Sequence, residues 1–213
     1  MTLRTVTLRT VVGALLALTI AASPALACKG EEIYSDDFTQ PDGPWPNAAW
    51  FSINGGKAEL KMEPGYRGVA SYLGGNFTDF DVCVDITYPE AKNPDGGTYA
   101  GLVFWFKGMD DHYEVFTTPV GVVGAFRFTK SRALLASPVR KQSSLKAGAG
   151  ATNTIRVTVK DKSVTVYAND EKVAAFKGIM PEGGGYIGLM ATSEKDQANV
   201  WQFSNFKLTE APK

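Results

Sequence analysis

The sequence predicts an all-β protein folded as a two-sheet antiparallel β-sandwich, a jelly roll, and three observations carry that prediction. Apolar and polar residues alternate with period two over long stretches. No window of useful length places apolar residues at helical spacing. Gly and Pro punctuate the chain at Pro94-Asp95-Gly96-Gly97, Gly148-Ala149-Gly150 and Gly183-Gly184-Gly185, as many short strands with frequent turns require.

The first element is a leader. Arg4 and Arg9 precede an apolar run from Val11 to Ala22, broken only by Gly13 and Thr19, and Ser23-Pro24-Ala25-Leu26-Ala27 follows. That is the three-part layout of a signal peptide, with an apolar run too short to anchor the chain across a bilayer. Cleavage after Ala27 leaves 186 of the 213 residues, enough for one domain over 28–213. The expected compartment is the periplasm or beyond. Disulfides persist there, and the chain has only two cysteines, so a Cys28–Cys83 bridge is expected. The competing fate for Cys28 is acylation as the first residue of a lipoprotein; Ala25 and Leu26 are the reverse of the large-then-small order a lipobox wants. No later apolar run is long enough to span a membrane, so no membrane anchor is expected after cleavage.

The strands follow in order. From Asp79 onward Phe80, Val82, Val84, Ile86 and Tyr88 fall on one side, and Asp79, Asp81, Cys83, Asp85 and Thr87 on the other, predicting a strand with one wet face. Ala100 to Phe106 is apolar on both faces and reads as a central strand. His112–Thr118, Val122–Thr129 and a long hairpin from Thr154 to Phe176, turning at Asn169-Asp170, are rich in β-branched and aromatic residues. Gly185–Thr192 and Asn199–Leu208 complete the set.

Charge narrows the partners. After cleavage 20 basic residues stand against 22 acidic ones, a balance unlike that of a nucleic-acid binder. The distribution is uneven. Residues 28–114 hold 15 acidic and 6 basic residues, whereas 115–160 hold eight basic and no acidic ones, Arg127, Lys130, Arg132, Arg140 and Lys141 among them. Those cations either line a cleft for an anionic sugar or balance the acidic first half.

Several local patterns carry a family resemblance: Asp36-Asp37-Phe38, Phe77-x-x-Phe80-x-Val82-x-Val84, Ala100-Gly101-Leu102-Val103-Phe104, Asp111-His112-Tyr113, Val164-x-Val166-Tyr167-x-Asn169, Gly185-Tyr186-Ile187-Gly188-Leu189 and Phe203-Ser204-Asn205-Phe206. In their order and spacing they resemble the concanavalin A-like lectin/glucanase superfamily, in particular 3-keto-disaccharide hydrolase and laminin-G-like domains. The resemblance implies a glycan partner on a jelly-roll frame. Two departures matter. The alternating Glu-x-Asp carboxylates of the family's glucanases are missing, and Asp79, Asp81 and Asp85 are the nearest substitute, more in keeping with a solvated surface than with a catalytic pair. Ser204 stands where related domains place an Asp that helps hold structural calcium, which leaves Asp36 and Asp37 as weak calcium candidates and no cofactor as the main expectation.

Sugar recognition needs flat aromatic faces and planar polar groups on a rigid sheet. If Leu102, Phe104 and Phe106 face the core, Trp105 faces outward; if Phe126 and Phe128 do, so does Arg127; and Tyr113 and Val115 inward leave His112, Glu114 and Phe116 outward. Trp105, Glu114 and Arg127 are therefore the expected ligand-binding residues, with packing beneath a loop as the other reading of Trp105. Trp45 and Trp50 are expected to pack at the sandwich edge. The lone histidine and both cysteines leave no transition-metal set. A non-catalytic exported carbohydrate-binding domain is the first reading. A glycoside-bond hydrolase using Glu114, His112 or Asp111 as acid or base is the second, and a periplasmic protein-interaction domain the third.

Overall fold

The alternation is realised as two antiparallel sheets in a computed structural model that describes residues 28–94, 97–130 and 132–213. The expected signal peptide, 1–27, lies outside the described residues. One sheet contains β1 (Glu32–Asp36), β2 (Phe51–Asn54), β3 (Lys57–Met62), β5 (Phe80–Thr87), β10 (Thr152–Lys160), β11 (Ser163–Ala168), β12 (Glu171–Lys177) and β14 (Asn199–Thr209). Its order is β12-β11-β10-β5-β14-β3-β2, with β1 paired to the far end of β14. The other contains β4 (Arg67–Phe77), β6 (Ala100–Gly108), β7 (Asp111–Thr117), β8 (Val122–Thr129), β9 (Arg132–Lys141) and β13 (Gly185–Thr192), ordered β4-β13-β6-β7-β8-β9.

The predicted core face of β5 is the observed one: Phe80, Val82, Val84 and Ile86 are fully buried in the same cluster as Leu102, Phe104, Val115, Ile187 and Leu189 of the other sheet. Removing each such side chain from water contributes about 1.5–3 kcal/mol. The wet face predicted for β5 needs correction. Asp81 and Cys83 are buried, because the segment before β1 and the side chain of Arg156 lie over them. The expected Cys28–Cys83 disulfide is present and fastens that segment to the sheet.

The predicted hairpin over 154–176 is three strands. Asp161-Lys162 and Asn169-Asp170 each form a two-residue turn with positive φ at both positions, 48° and 63° in the first, 48° and 67° in the second. Such turns match the right-handed twist of the strands they join.

Candidate functional site

Antiparallel register decides which side chains share a face, since directly paired residues point the same way. In β7, Tyr113 and Val115 join the core cluster, so His112, Glu114 and Phe116 point to the outer face as predicted. In β8 the phase is the reverse of the expected one. Glu114 pairs with Phe126 and His112 with Phe128, which puts both phenylalanines outward; Tyr113 pairs with Arg127, which puts the arginine on the inner side. The Arg127 guanidinium lies 4.9 Å from the Tyr113 ring centre and donates to the carbonyls of His112 and Phe128 and to the Asp111 carboxylate. The expectation that Arg127 faces outward beside Glu114 is thus corrected, and Asp111 lies on the opposite side of the sheet from His112 and Glu114.

The orientation expected for Trp105 is also corrected. A bulge breaks the pairing of β6 with both neighbours after Val103 and Phe104, and Trp105 takes a φ of 48°. The extra residue turns the chain, as bulges do. The indole goes into the core, fully buried against Phe104 and Tyr113, with Nε1 donating to the Thr78 carbonyl at 3.0 Å. Phe106 is turned outward in its place and packs on His112.

On that outer face Arg67, the first residue of β4, reaches across the sheet. Its Nη2 donates to Glu114 Oε1 and lies 2.6 Å from His112 Nε2. His112 Nδ1 is 2.8 Å from the Gly108 carbonyl, which can only accept, so Nδ1 carries the proton and Nε2 presents its lone pair to the guanidinium. Phe128 stacks on the imidazole with centroids 4.7 Å apart, and Arg67 Cζ sits 4.0 Å from the Phe128 ring centre. His112 and Glu114 have no exposed side-chain surface, while Arg67 keeps 19% of its own. Among the described residues Glu114 Oε2 and Arg67 Nε are buried without a hydrogen-bond partner. Half-buried Tyr99, Phe106, Phe126 and Phe128 surround the cluster. Burial, then the Glu114 charge, pushes the Tyr99 phenol up to about 12 against the opposing pull of Arg67.

Sequence reasoning misses Arg67. Nothing in its own strand marks it; the one available signal is that an outward, buried Glu114 needs a cation, and its partner comes from a strand three places away in the sheet.

The remaining acidic candidates have separate partners. Asp81 is gripped by Arg156, Asp79 accepts from the Asp161 amide, and Asp85 accepts from Thr154 and Asn205, so these three do not form a catalytic pair. Asp36 accepts from the Tyr34 hydroxyl, the Phe38 amide and Trp45 Nε1 at 2.7–2.8 Å, and Asp37 from the Thr39 amide and hydroxyl. Calcium wants six to eight oxygen ligands. These two carboxylates accept from protein donors, and among the described residues no three acidic, His or Cys side chains converge on one point.

No protein-family model and no curated protein sequence matches the chain. Solved structures do. A carbohydrate binding module, CBM66 from Bacillus subtilis, superposes with a TM-score of 0.59 at 16% identity over 81% of this chain and 94% of that one. The Bacillus licheniformis beta-glucanase gives 0.62 at 10% identity over 85% of this chain and all of the other. The GH43 protein BlXynB from Bacillus licheniformis gives 0.64 at 12% identity over 85% of this chain, which spans only 40% of that larger protein. Likeness at such identity shows the fold, and the fold is the concanavalin A-like jelly roll.

Proposed function

We propose that this chain is an exported, non-catalytic domain that binds a neutral glycan on the outer face of the six-stranded sheet. The observation that carries the reading is the Arg67–Glu114–His112 cluster, with two buried polar atoms unpartnered beneath a rim of aromatic rings. Buried polar groups are nearly always hydrogen-bonded, so two such atoms just beneath the partly exposed Arg67 guanidinium support a place for a ligand's polar groups. A saccharide hydroxyl both donates and accepts, which answers Oε2 and Nε together, while the aromatic rim offers apolar surface to a pyranose face. The ligand meets Arg67 and the rings first and reaches Glu114 as the guanidinium shifts, since Glu114 has no exposed surface of its own.

Charge supports a neutral ligand, because Arg67 and Glu114 cancel. Two of the eight basic residues between 115 and 160 are also matched by carboxylates of the acidic first half, Arg127 by Asp111 and Arg156 by Asp81. Hydrolysis by a carboxylate pair needs two carboxyls flanking one bond. Of the three candidate acid–base residues, His112 and Glu114 share this face and Asp111 does not. The fold's occurrence in a carbohydrate binding module supports binding as a use for the frame.

The test is a panel of neutral and acidic glycans titrated against the purified protein, with product analysis of every mixture. Binding of intact neutral glycan that Arg67→Ala and Phe128→Ala abolish is the expected result. New reducing ends would make the protein an enzyme and overturn the non-catalytic assignment. Selective binding of uronate-bearing glycans would overturn the neutral one. Silence across the panel would transfer the face to a protein partner.

A further inference from the structure

The strand that supplies Arg67 also walls a second recess. Between β3 and β4 lies a cavity of about 560 Å³ bordered by Trp50, Lys61, Met62, Glu63, Tyr66 and Arg67. Trp50 packs edge-on against Phe51 and close over Gly68, where an added Cβ would meet Met62 at 2.8 Å and Trp50 at 3.2 Å. Tyr66 is 68% exposed. Its backbone is nonetheless fixed: the Tyr66 amide donates to the Glu63 carbonyl at 3.0 Å, the Ser193 amide donates to the Tyr66 carbonyl at 3.0 Å, and the Gly65 amide donates to the Glu194 carbonyl at 2.7 Å. With its backbone tied down, only the rotamers of the exposed ring remain to be ordered when something binds, which lowers the ordering cost of binding.

We infer that this recess is a second saccharide subsite, and that the ligand is an oligosaccharide running from the Arg67 cluster over the β4 edge to Tyr66 and Trp50. The inference rests on the glycan reading of the outer face and deepens it. Three observations converge. Arg67 borders both places, so one ligand can pass from one to the other across it. The walls pair two aromatic faces with one ammonium and one carboxylate at the rim, Lys61 and Glu63, a combination suited to an uncharged ring that carries hydroxyls. Tyr66 sits in the turn that leads directly into Arg67, so the two neighbours can meet different stretches of one bound chain.

The experiment titrates the protein, Tyr66→Ala and Arg67→Ala with cello-, laminari- and xylo-oligosaccharides from the monosaccharide to the hexasaccharide. For the series that binds, affinity rises with length in the unsubstituted protein. Tyr66→Ala weakens the hexasaccharide about tenfold and leaves the monosaccharide unchanged, whereas Arg67→Ala loses both. The Tyr66 ring resonances move with the hexasaccharide and stay put with the monosaccharide. Tyr66→Ala removes an exposed ring, so its thermal midpoint matches that of the unsubstituted protein. Equal hexasaccharide affinity in Tyr66→Ala, or no gain with length, overturns the subsite and leaves the Arg67 face standing. Loss of monosaccharide binding in Tyr66→Ala overturns the division into two subsites. No binding of any series overturns both.

Discussion

Arg156 grips both oxygens of Asp81, with Nε 2.7 Å from one and Nη2 2.6 Å from the other, on a face of β5 where alternation alone predicts water. Thr158 Oγ1 and the Lys29 amide donate to the same carboxylate at 3.1 and 3.3 Å. A planar fork meeting a carboxylate in this way is the strongest common side-chain pairing, and its hydrogen bonds to Asp81 hold the Arg156 pKa above its usual value.

Breaking that pair leaves a buried charge without a partner. Asp81→Ala is therefore expected to lower unfolding free energy by about 3–5 kcal/mol and the thermal midpoint by roughly 10 °C, whereas replacing both members, as in Asp81→Leu with Arg156→Met, restores much of the loss. Urea denaturation of Asp81→Ala, of Asp81→Leu and Arg156→Met each alone, and of the double variant reads this directly. Additive losses in the double variant would show that each residue acts through other contacts.

The disulfide closes a loop with a sequence separation of 55, and constraint of the unfolded chain by a loop of that size is worth about 4 kcal/mol. Cys28→Ser and Cys83→Ser are expected to lose the same amount as each other and as the double variant. Reduction of the unsubstituted protein should reproduce the loss. When the full sequence is expressed in a secreting host, the export reading expects an intact mass that matches a chain beginning at Cys28 and two hydrogens lighter than its reduced form; a lipid adduct on Cys28 would overturn cleavage by the ordinary signal peptidase.

Which parts of this were legible follows from what period two encodes. It gives alternation, so the inward set Phe80, Val82, Val84 and Ile86 could be read, and so could the outward position of His112 and Glu114. It does not give phase where both sets are apolar or amphipathic, which is why β8 reads backwards at Phe126, Arg127 and Phe128. It also assumes an unbroken strand, and one extra residue in β6 exchanges Trp105 with Phe106. Contacts between distant strands leave no local trace. Arg67 on Glu114 spans 47 residues of sequence and Arg156 on Asp81 spans 75.

Buried tyrosines set the alkaline limit. Burial, offset in part by hydrogen bonds from Thr117 and Asn153, pushes Tyr88 up to about 12, and Tyr99 reaches about 12 as well; Tyr34 is raised by burial and by its bond to Asp36. The unfolded chain releases these protons near pH 10 while the folded chain still holds them. Between about pH 10 and 12 the folded state therefore binds more protons, and stability that is whole below pH 10 falls as pH rises through that window. A spectrophotometric titration of the native protein should show a subset of the eight tyrosines ionising ahead of the rest, with the late group appearing together with unfolding. A single native transition near pH 10 for all eight would contradict the burial.

Trp105 separates packing from recognition. Its indole is fully buried, its Nε1 is satisfied by Thr78, and Gly178 and Gly185 lie so close that an added Cβ would meet its ring at 2.5 Å and its backbone at 2.4 Å. Trp105→Ala should therefore cost about 3–5 kcal/mol in urea denaturation, with glycan affinity retained at a temperature where the variant is folded. Trp105→Phe keeps one aromatic ring of the two and strands the Thr78 carbonyl, a smaller loss of about 1–3 kcal/mol. Gly185→Ala should act like a packing defect too, because its methyl meets the bulge backbone rather than a movable side chain. Phe128→Ala should do the opposite, losing binding at modest cost to stability, since its half-buried ring lies on the outer face against Arg67 and His112. The two aromatic variants thus test the face assignment against each other: unaltered stability with lost binding in Trp105→Ala would place the indole on the surface and overturn the bulge as the element that turns it inward.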